Sequence, residues 1–138
     1  MTDTHAFKDK YVALWNEPDP DRRRRLVAEL WTEDGRYILQ PPEEVRAIAA
    51  RPGIGLTASF EAQGHEQLAA RAASAYEHWV GSEGLRFRGR DDADRVGDVV
   101  KFHWEAVTRD GEVTAVGLDV LILAPDGRIE RDYAFVVG

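Results

Sequence analysis

The sequence predicts a single α+β domain, with helices in its first half and an antiparallel sheet in its second half. In the first half, apolar residues recur every three or four positions, as they do along one face of a helix. From Leu85 onward they recur every second position, as they do along one face of a strand. The turns "RDGE" and "PDGR" divide this second half, and Asp-Gly is typical of turns between antiparallel strands. Helices followed by such a run of strands indicate the α+β class.

The bulk composition fits one domain spanning residues 1–138. Apolar residues make up 43% of the chain, which is enough for a core at this length. The absence of cysteine excludes disulfides and thiolate chemistry. The sequence has neither a secretory h-region near its start nor an apolar run long enough for a bilayer. We therefore expect a cytoplasmic protein with no membrane partner.

The charge distribution argues against a nucleic-acid partner. The net charge is −7, and the one basic cluster is "RRRR" at Arg22–Arg25. Four consecutive residues point in all directions around a helix, so we interpret these arginines as solvated rather than as a binding patch. The histidines at positions 5, 65, 78 and 103 lack the spacing of metal ligands, and no glycine-rich phosphate loop occurs. We expect neither a metal nor a cofactor.

Three helices are predicted, each from an apolar stripe. The second begins with Asp19 as a cap and Pro20 at the first helical position, where its missing N–H costs nothing. The third follows Gly64 and ends at "GSEG". The stripes are Phe7, Tyr11, Leu14 and Trp15 in the first helix, Leu26, Val27, Leu30 and Trp31 in the second, and Leu68, Ala72, Tyr76 and Trp79 in the third.

The strands are predicted from alternation and from turn residues. "RYIL" forms a short strand after the second helix, and residues 41–63 predict one or two helical turns followed by a flap-like loop. The later strands are "LRFRGR", "VVKFHWEAV", "VTAVGLDVLILA" and "IERDYAFVV". The strand from Val113 to Ala124 is apolar on both faces, whereas a strand with one wet face alternates. We therefore expect helices on one face of the sheet and a second copy of the chain on the other, in a homodimer.

Asp119 is the one charged residue between Thr114 and Ala124. Alternation puts it on the same face as Gly117 and Leu121. Burial disfavours the charged form of a carboxyl group, so the sequence predicts an Asp119 that keeps its proton and can donate a hydrogen bond to a developing oxyanion. The alternative is an aspartate held by an arginine or by a dimer contact.

Aromatic residues provide the other candidates for a site. Tyr11 lies on the inner stripe of the first helix, where its phenol either donates a hydrogen bond into a pocket or packs in the core. Ligand pockets are largely apolar with a few placed polar groups, so we expect aromatic side chains to line one. The candidate substrate-binding residues are Trp15, Tyr37, Phe87, Phe102, Trp104, Tyr133 and Phe135, together with Gln40 at the end of the first strand.

Four segments, in this order, resemble the SnoaL-like branch of the nuclear transport factor two-like superfamily over nearly the whole chain. They are "YVALWNEPDPDRRRRLVAELWTEDGRY", "GHEQLA", "VVKFHWEAV" and "GLDVLILAPDGRI". The resemblance implies a cone-shaped fold with three N-terminal helices packed on a strongly curved antiparallel sheet, around a pocket and commonly as a dimer. Members include polyketide cyclases, ketosteroid isomerases, dehydratases and epoxide hydrolases, so the fold alone does not choose the reaction.

The ketosteroid isomerases of this superfamily imply roles for two residues. In them a Tyr on the first helix donates to the substrate oxyanion, and Tyr11 occupies the matching position. The second donor is a protonated Asp eight residues before a turn glycine, as Asp119 stands before Gly127. The resemblance therefore implies that both oxyanion donors are retained.

The general base of those isomerases is an Asp directly before a proline at the end of the first strand, where this chain has Gln40 before Pro41. An amide does not accept a proton at neutral pH, and loss of a positioned base costs about a hundredfold to ten-thousandfold in rate. The proton acceptor would then be Asp119 itself, a water molecule or another residue, such as Glu43 or Glu44.

The epoxide hydrolase branch carries an Arg-x-Asp on the strand that matches Asp119 and a second Asp in the last strand. Here Gly117 replaces the Arg, and "RDY" near the end of the chain supplies an Asp. By simple alternation Tyr133 and Phe135 face the pocket and Asp132 faces away, unless a bulge reverses the register.

The sequence favours a small-molecule enzyme of isomerase, cyclase or hydro-lyase type that uses acid–base chemistry without a metal. Asp119 and Tyr11 would polarise the carbonyl or enol of a hydrophobic substrate. One alternative is a non-catalytic binding or accessory dimer, which Gln40 would suit because an amide binds a ligand without carrying a proton. The others are an epoxide hydrolase-like enzyme and a dimerising domain whose aromatic residues fill the interior.

Overall fold

The structure is a computed structural model that describes residues 3–41, 43, 47 and 60–138. The helical turns and the flap-like loop predicted between residues 41 and 63 lie mostly outside the described residues. Their last part, Phe60–Gln63, forms a strand instead of a loop.

Two helices open the chain, as the sequence predicts. Helix α1 spans Thr4–Asn16, and the side chain of Asp3 caps it by accepting from the N–H groups of residues 5 and 6. Helix α2 spans Pro20–Leu30, and the side chain of Asp19 accepts from the N–H of residue 21. The predicted cap and the predicted proline start of α2 are therefore confirmed.

The third helix lies in the middle of the chain, after two strands, so the prediction of three N-terminal helices is wrong. Helix α3 spans Gly64–Ala75 and continues as a π-helical segment over Tyr76–Ser82. A π-helix has a wider turn than an α-helix, so the apolar stripe loses its register after residue 75. Trp79, which the stripe places on the inner side, is 40% exposed for this reason. In the described part of the chain no helix is long and apolar enough to cross a membrane.

Within the described residues, seven strands form one mixed sheet, which together with the helices confirms the α+β class. The strands are β1 Trp31–Leu39, β2 Phe60–Gln63, β3 Arg86–Gly89, β4 Asp94–Val96, β5 Val99–Val107, β6 Val113–Leu123 and β7 Ile129–Val136. The order across the sheet is β2-β1-β7-β6-β5-β3, and β4 pairs with β5. The expected purely antiparallel sheet is wrong at one place, because β1 and β7 pair in parallel. Parallel partners require a long connection, and here the chain between them contains α3 and five strands.

An extra residue in β7 changes which side chains face the core. Leu123 pairs with Ile129 and Ile122 pairs with Arg131, so the residue between the two β7 partners forms a bulge. Asp132 is consequently buried, with 0% exposure, although simple alternation predicts that it faces away. The bulge also places Tyr133 and Phe135 on the outer face of the sheet, although the sequence predicts that they face the pocket.

The arginine cluster on α2 is only partly solvated. Three of its members are exposed, but Arg23 is 5% exposed. Its guanidinium donates to the backbone oxygen of Glu17 at 2.9 Å and lies 5.1 Å from the centre of the Tyr76 ring. Arg23 therefore joins the end of α1 to the π-helical segment, which corrects the interpretation of the cluster as a wholly solvated face.

The two faces of β6 alternate as the sequence predicts. The residues at 117, 119, 121 and 123 are buried, and the residues at 116, 118, 120 and 122 are half-buried. The inner face packs against the helices around a core that includes Tyr11, Leu14, Leu30 and Phe102. Asp119 is therefore held inside the core by the two neighbouring strands, β5 and β7.

Candidate active site

Tyr11 and two aspartates meet at the centre of the core. Tyr11 comes from α1, Asp119 from the middle of β6, and Asp132 from β7 just after the bulge. Their exposures are 2%, 1% and 0%. The phenol oxygen of Tyr11 lies 2.7 Å from Oδ2 of Asp119 and also contacts Oδ2 of Asp132. The sequence predicts an inward Tyr11 and Asp119 but misses Asp132, because the β7 bulge leaves no mark on the alternation.

The hydrogen-bond count requires a retained proton in this cluster. The phenol of Tyr11 has one proton to donate, yet both carboxyl groups contact its oxygen. An ionised carboxylate only accepts, so one carboxyl must carry a proton and donate it to the phenol. The consistent order is Asp132 donating to Tyr11 and Tyr11 donating to Asp119. Oδ1 of Asp132 is buried and has no hydrogen-bond partner.

The electrostatics favour Asp132 as the carboxyl group that keeps this proton. Burial raises the pKa of Asp132 well above its ordinary value, and the nearby Asp119 raises it further, against a smaller opposing effect of the hydrogen bond with Tyr11. Burial also raises the pKa of Tyr11, and the charges of the two aspartates add to this rise. Both shifts favour the protonated forms of Asp132 and Tyr11.

Trp104 satisfies the second oxygen of Asp119. Its indole Nε1 donates to Oδ1 of Asp119 at 2.7 Å. The indole occupies the space above Gly117, where a Cβ atom would lie 2.0 Å from Cε2 of the ring. The ring of Phe87 packs against Trp104 edge to face, with ring centres 5.5 Å apart. The glycine at 117 is therefore what lets Trp104 reach the aspartate.

Aromatic rings surround the cluster on the helix side. Phe102 packs edge to face on Tyr11 at 5.3 Å between ring centres. Trp15 lies 6.0 Å from Tyr11 and 5.4 Å from Tyr37. Five of the residues that the sequence proposes as substrate-binding thus lie around the cluster and form its aromatic wall, in two groups that meet at the cluster: Trp15, Tyr37 and Phe102 beside Tyr11, and Phe87 and Trp104 beside Asp119.

Three proposed substrate-binding residues lie elsewhere. Tyr133 and Phe135 follow the β7 bulge and lie on the outer face of the sheet, where Phe135 is 39% exposed. Gln40 extends the pairing between β1 and β7, since its N–H donates to the oxygen of Ala134 at 2.8 Å and its side-chain oxygen accepts from the N–H of Val136 at 3.1 Å. Gln40 is thus a polar strand end in this structure.

A cavity of about 550 Å³ leads from the surface to the aromatic wall. It lies between β1, β2 and α3, and its lining residues are Tyr37, Leu39, Phe60, Glu61, Ala62, Gln67, Ala70, Arg71 and Ser74. Tyr37 is the lining residue nearest to the buried cluster in the sheet, because it is the direct register partner of Asp132 in the parallel pairing, but Tyr11, Asp119 and Asp132 do not line the cavity themselves. Burial, followed by the charges of Asp119 and Asp132, raises the pKa of Tyr37, so this phenol stays protonated at neutral pH.

Arg71 is a charged residue of the cavity that the sequence reasoning missed. Its guanidinium lies 5.6 Å from the centre of the Tyr37 ring, and its Nε is buried without a hydrogen-bond partner. The sequence does contain a signal for Arg71, because this charged residue stands three residues after Leu68 and directly before Ala72, on the apolar stripe of the third helix. A charged residue on an apolar stripe indicates a candidate site residue, as Asp119 does on its apolar strand.

Other features of the described residues lie away from the cluster. A second cavity of about 610 Å³ lies between α2 and α3, and residues such as Arg24, His65 and Glu66 line it. No group of three His, Asp or Glu side chains that could hold a metal ion occurs within residues 3–41, 43, 47 and 60–138. Of the carboxylates suggested as a replacement base, Glu43 is exposed and Glu44 lies outside the described residues.

The fold is shared with two solved structures at low sequence identity. A ketosteroid isomerase-like protein from Catenulispora acidiphila, solved with trimethylamine, has 17% identity and a TM-score of 0.62 over 96% of this chain and 85% of that one. A candidate polyketide cyclase from Sinorhizobium meliloti has 13% identity and a TM-score of 0.60 over 94% of this chain and 93% of that one. At these identities the likeness shows the fold alone.

One similar structure also establishes the family. No family model and no curated protein matches the sequence. A candidate isomerase of the SnoaL-like family from Agrobacterium tumefaciens is 30% identical to this chain, with a TM-score of 0.77, and each chain is covered over 100% of its length. The chain therefore belongs to the SnoaL-like family.

Proposed function

We propose that this protein is a metal-independent acid–base enzyme of isomerase or cyclase type that acts on the carbonyl or enol of a hydrophobic small molecule. The observation that carries the proposal is the buried row of Asp132, Tyr11 and Asp119, in which one proton is shared between two carboxyl groups. Buried titratable groups with shifted pKa values are typical of catalytic sites. The aromatic wall and the adjacent cavity supply the apolar surroundings that such a substrate needs.

The row can act as the general base that Gln40 does not provide. A proton taken from a substrate carbon enters on the free Oδ1 of Asp132. Asp132 passes its own proton from Oδ2 to Tyr11, and Tyr11 passes its proton to Asp119. The charge of the cluster thereby moves onto the substrate as an enolate, and the reverse transfer returns a proton to another carbon. Tyr37 keeps its proton and donates a hydrogen bond to the enolate oxygen from the cavity wall.

Exchange of substrate protons with heavy water tests this proposal. Apolar ketones such as indanone and tetralone are incubated with the protein in D₂O, and deuterium uptake at the carbon beside the carbonyl is followed by NMR. The substitutions Asp119→Asn, Asp132→Asn and Tyr11→Phe are each expected to slow exchange by about a hundredfold or more, because each interrupts the row. The control is Asp91→Asn, which removes a carboxylate whose side chain is 96% exposed. Exchange that survives in both aspartate variants, or that never exceeds the buffer rate, contradicts the proposal.

A second candidate function is a non-catalytic ligand-binding module. Two observations favour it: Gln40 is engaged by the backbone of β7, and the cluster is almost fully buried. Native mass spectrometry of the purified protein distinguishes the candidates when it is combined with the exchange experiment. A co-purified hydrophobic molecule without any exchange supports the binding module.

A third candidate is an epoxide hydrolase-like enzyme, favoured by the finding that Asp119 and Asp132 both face inward. The arginine that this branch places two residues before the first aspartate is not available, because Gly117 stands there and Trp104 fills the space. Hydrolysis of an apolar epoxide in isotopically labelled water would support this candidate if it depends on both aspartates.

We also propose that the chain forms a homodimer through the outer face of the sheet. Val116, Leu118, Val120 and Ile122 on β6 lie there beside Tyr133 and Phe135 on β7. These residues form an apolar surface on the side away from the helices, where a monomer would normally present polar side chains.

A further inference from the structure

Arg71 is a cation that lines the cavity between β1, β2 and α3. Its Nε is buried without a partner, and within the described residues its guanidinium forms no ion pair. An arginine guanidinium is a cation with five N–H donors and no acceptor. The cation therefore persists beside a cavity whose remaining walls do not neutralise it.

The surroundings of Arg71 are mainly apolar. Leu39, Ala62 and Ala70 line the same cavity, and Phe60 is 44% exposed at its edge. Among the described lining residues the other charged side chain is Glu61, which is exposed, so water screens it. Apolar walls around one cation suit a hydrophobic molecule that carries an anionic end.

We propose that this cavity binds hydrophobic carboxylic acids and that Arg71 holds their carboxylate group. The proposal rests on the proposed function, since it names the substrate class of the same site. A guanidinium presents its N–H groups as a planar fork that matches the two oxygens of a carboxylate. An amide of the same shape offers one oxygen and no charge, and therefore binds more weakly.

The position of Arg71 determines which end of the acid meets the chemistry. The guanidinium lies against the ring of Tyr37, and Tyr37 is the register partner of Asp132. A carboxylate held by Arg71 directs the apolar body of the acid along Tyr37 and toward Asp132. The substrate class is then a keto acid or enol acid, with its carboxylate as the anchor and its carbonyl or enol carbon as the reacting centre.

Calorimetric titration of the full chain with naphthoate and with naphthamide tests the proposal. The two probes share a ring system and differ in charge. The wild type is expected to bind naphthoate at least about tenfold more tightly than naphthamide, as a charge-assisted hydrogen bond provides. Arg71→Met should abolish the preference by weakening naphthoate binding much more than naphthamide binding, and Arg71→Lys should retain part of the preference because the fork is lost. Arg24→Met, which removes a cation whose side chain is 73% exposed, is the control and should keep the preference.

Equal affinity of the wild type for the two probes overturns the inference, and so does the failure of both to bind at millimolar concentration. This comparison needs no variant, so it remains decisive if Arg71→Met does not fold. An unchanged preference in a folded Arg71→Met protein also overturns it. If the wild type shows no preference for naphthoate but does show aspartate-dependent deuterium exchange, only the substrate class is rejected. Naphthoate binding through Arg71 without such exchange rejects only the proposed reaction.

Discussion

At the scale of residues, the cluster of Tyr11, Trp104, Asp119 and Asp132 places a polar network inside an aromatic core. Burying polar groups is costly unless they are hydrogen-bonded, and burying charges costs more. Tyr11 and Trp104 each lie 2.7 Å from an oxygen of Asp119, so both oxygens of that residue have partners. The proton kept by Asp132 removes a second buried charge. The network thus pairs both oxygens of Asp119 and leaves Oδ1 of Asp132 as its one oxygen without a partner.

The raised pKa of Asp132 should make stability depend on pH. In the unfolded chain an aspartate ionises near a pH of about 4, whereas in the folded chain Asp132 keeps its proton to a higher pH. Between these two pKa values the folded state binds more protons than the unfolded state, so the free energy of unfolding falls as pH rises, by up to about 1.4 kcal/mol per pH unit. Asp132→Asn keeps an N–H donor toward Tyr11 but does not titrate. The variant should therefore gain stability relative to the wild type between pH 5 and pH 8, as urea unfolding would measure.

The control for this prediction is Asp126→Asn. Hydrogen bonds from the backbone and side chain of Arg128 lower the pKa of Asp126, so its contribution to the pH dependence lies below a pH of about 4. Its stability difference from the wild type should stay constant over the same pH range. If the curves of Asp132→Asn and the wild type also run parallel, Asp132 does not retain a proton in the folded state.

The sequence predicts the part of this cluster that leaves a local signal. Tyr11 and Asp119 are polar residues on otherwise apolar faces, and both are found by counting positions along a helix and a strand. Asp132 is predicted to face away because the bulge before it depends on pairing with β6, which no local pattern shows. Arg71 carries the same local signal as Asp119, a charged residue on an otherwise apolar face, so its position in the site could also be predicted.

At the scale of elements, the hairpin of β5 and β6 positions Asp119 by packing the large side chain of Trp104 over a glycine, Gly117. Trp104 and Gly117 are direct partners in the antiparallel register. The missing side chain at 117 lets the indole lie across β6 and reach Asp119, its neighbour on the same face. Close packing of this kind tolerates added atoms poorly.

Gly117→Ala should therefore destabilise the protein strongly. The new Cβ would lie 2.0 Å from ring atoms of Trp104, so the indole must move and its hydrogen bond to Asp119 is lost. Overpacking and the lost bond together should lower the free energy of unfolding by at least about 2 kcal/mol, measured by urea unfolding. Gly81→Ala is the matched control, because its Cβ would meet only the backbone oxygen of Tyr76 at 3.6 Å and should change stability by less than about 1 kcal/mol. Equal stability of the two variants would show that the indole relaxes without loss.

Elements with one regular period are predicted well from the sequence, and elements that change period are not. Helices α1 and α2 and strands β5, β6 and β7 appear where the periodicity places them. The π-helical segment at Tyr76–Ser82 breaks the helical period, and β4, three residues long, is too short to show one. The parallel pairing of β1 with β7 joins residues about one hundred positions apart, so it depends on the assembled sheet rather than on either strand.

At the scale of the whole molecule, the sheet separates two surfaces with different roles. The inner face carries the aspartates and the aromatic wall. The sequence predicts that β6 has apolar residues on both of its faces, and in the structure one face is buried and the other is half-buried. The outer face is apolar along β6 and at Tyr133 and Phe135 of β7, while Arg131 on β7 and the residues Lys101, His103 and Glu105 on β5 make its margin polar. An apolar centre with a polar margin is the arrangement of a protein interface.

The chain should therefore behave in solution as a dimer whose mass is twice 15.5 kDa, measured by sedimentation at micromolar concentration. Leu118 lies in the middle of the outer face of β6, between His103 on β5 and Phe135 on β7. Leu118→Glu should convert the dimer to a monomer, because closing the interface would bury an unpaired carboxylate. Val96→Glu makes the same chemical change at a residue of β4 that is 79% exposed, and it should leave the dimer intact. A wild-type chain that sediments as a monomer would contradict the dimer. A Leu118→Glu chain that remains a dimer would place the partner surface elsewhere.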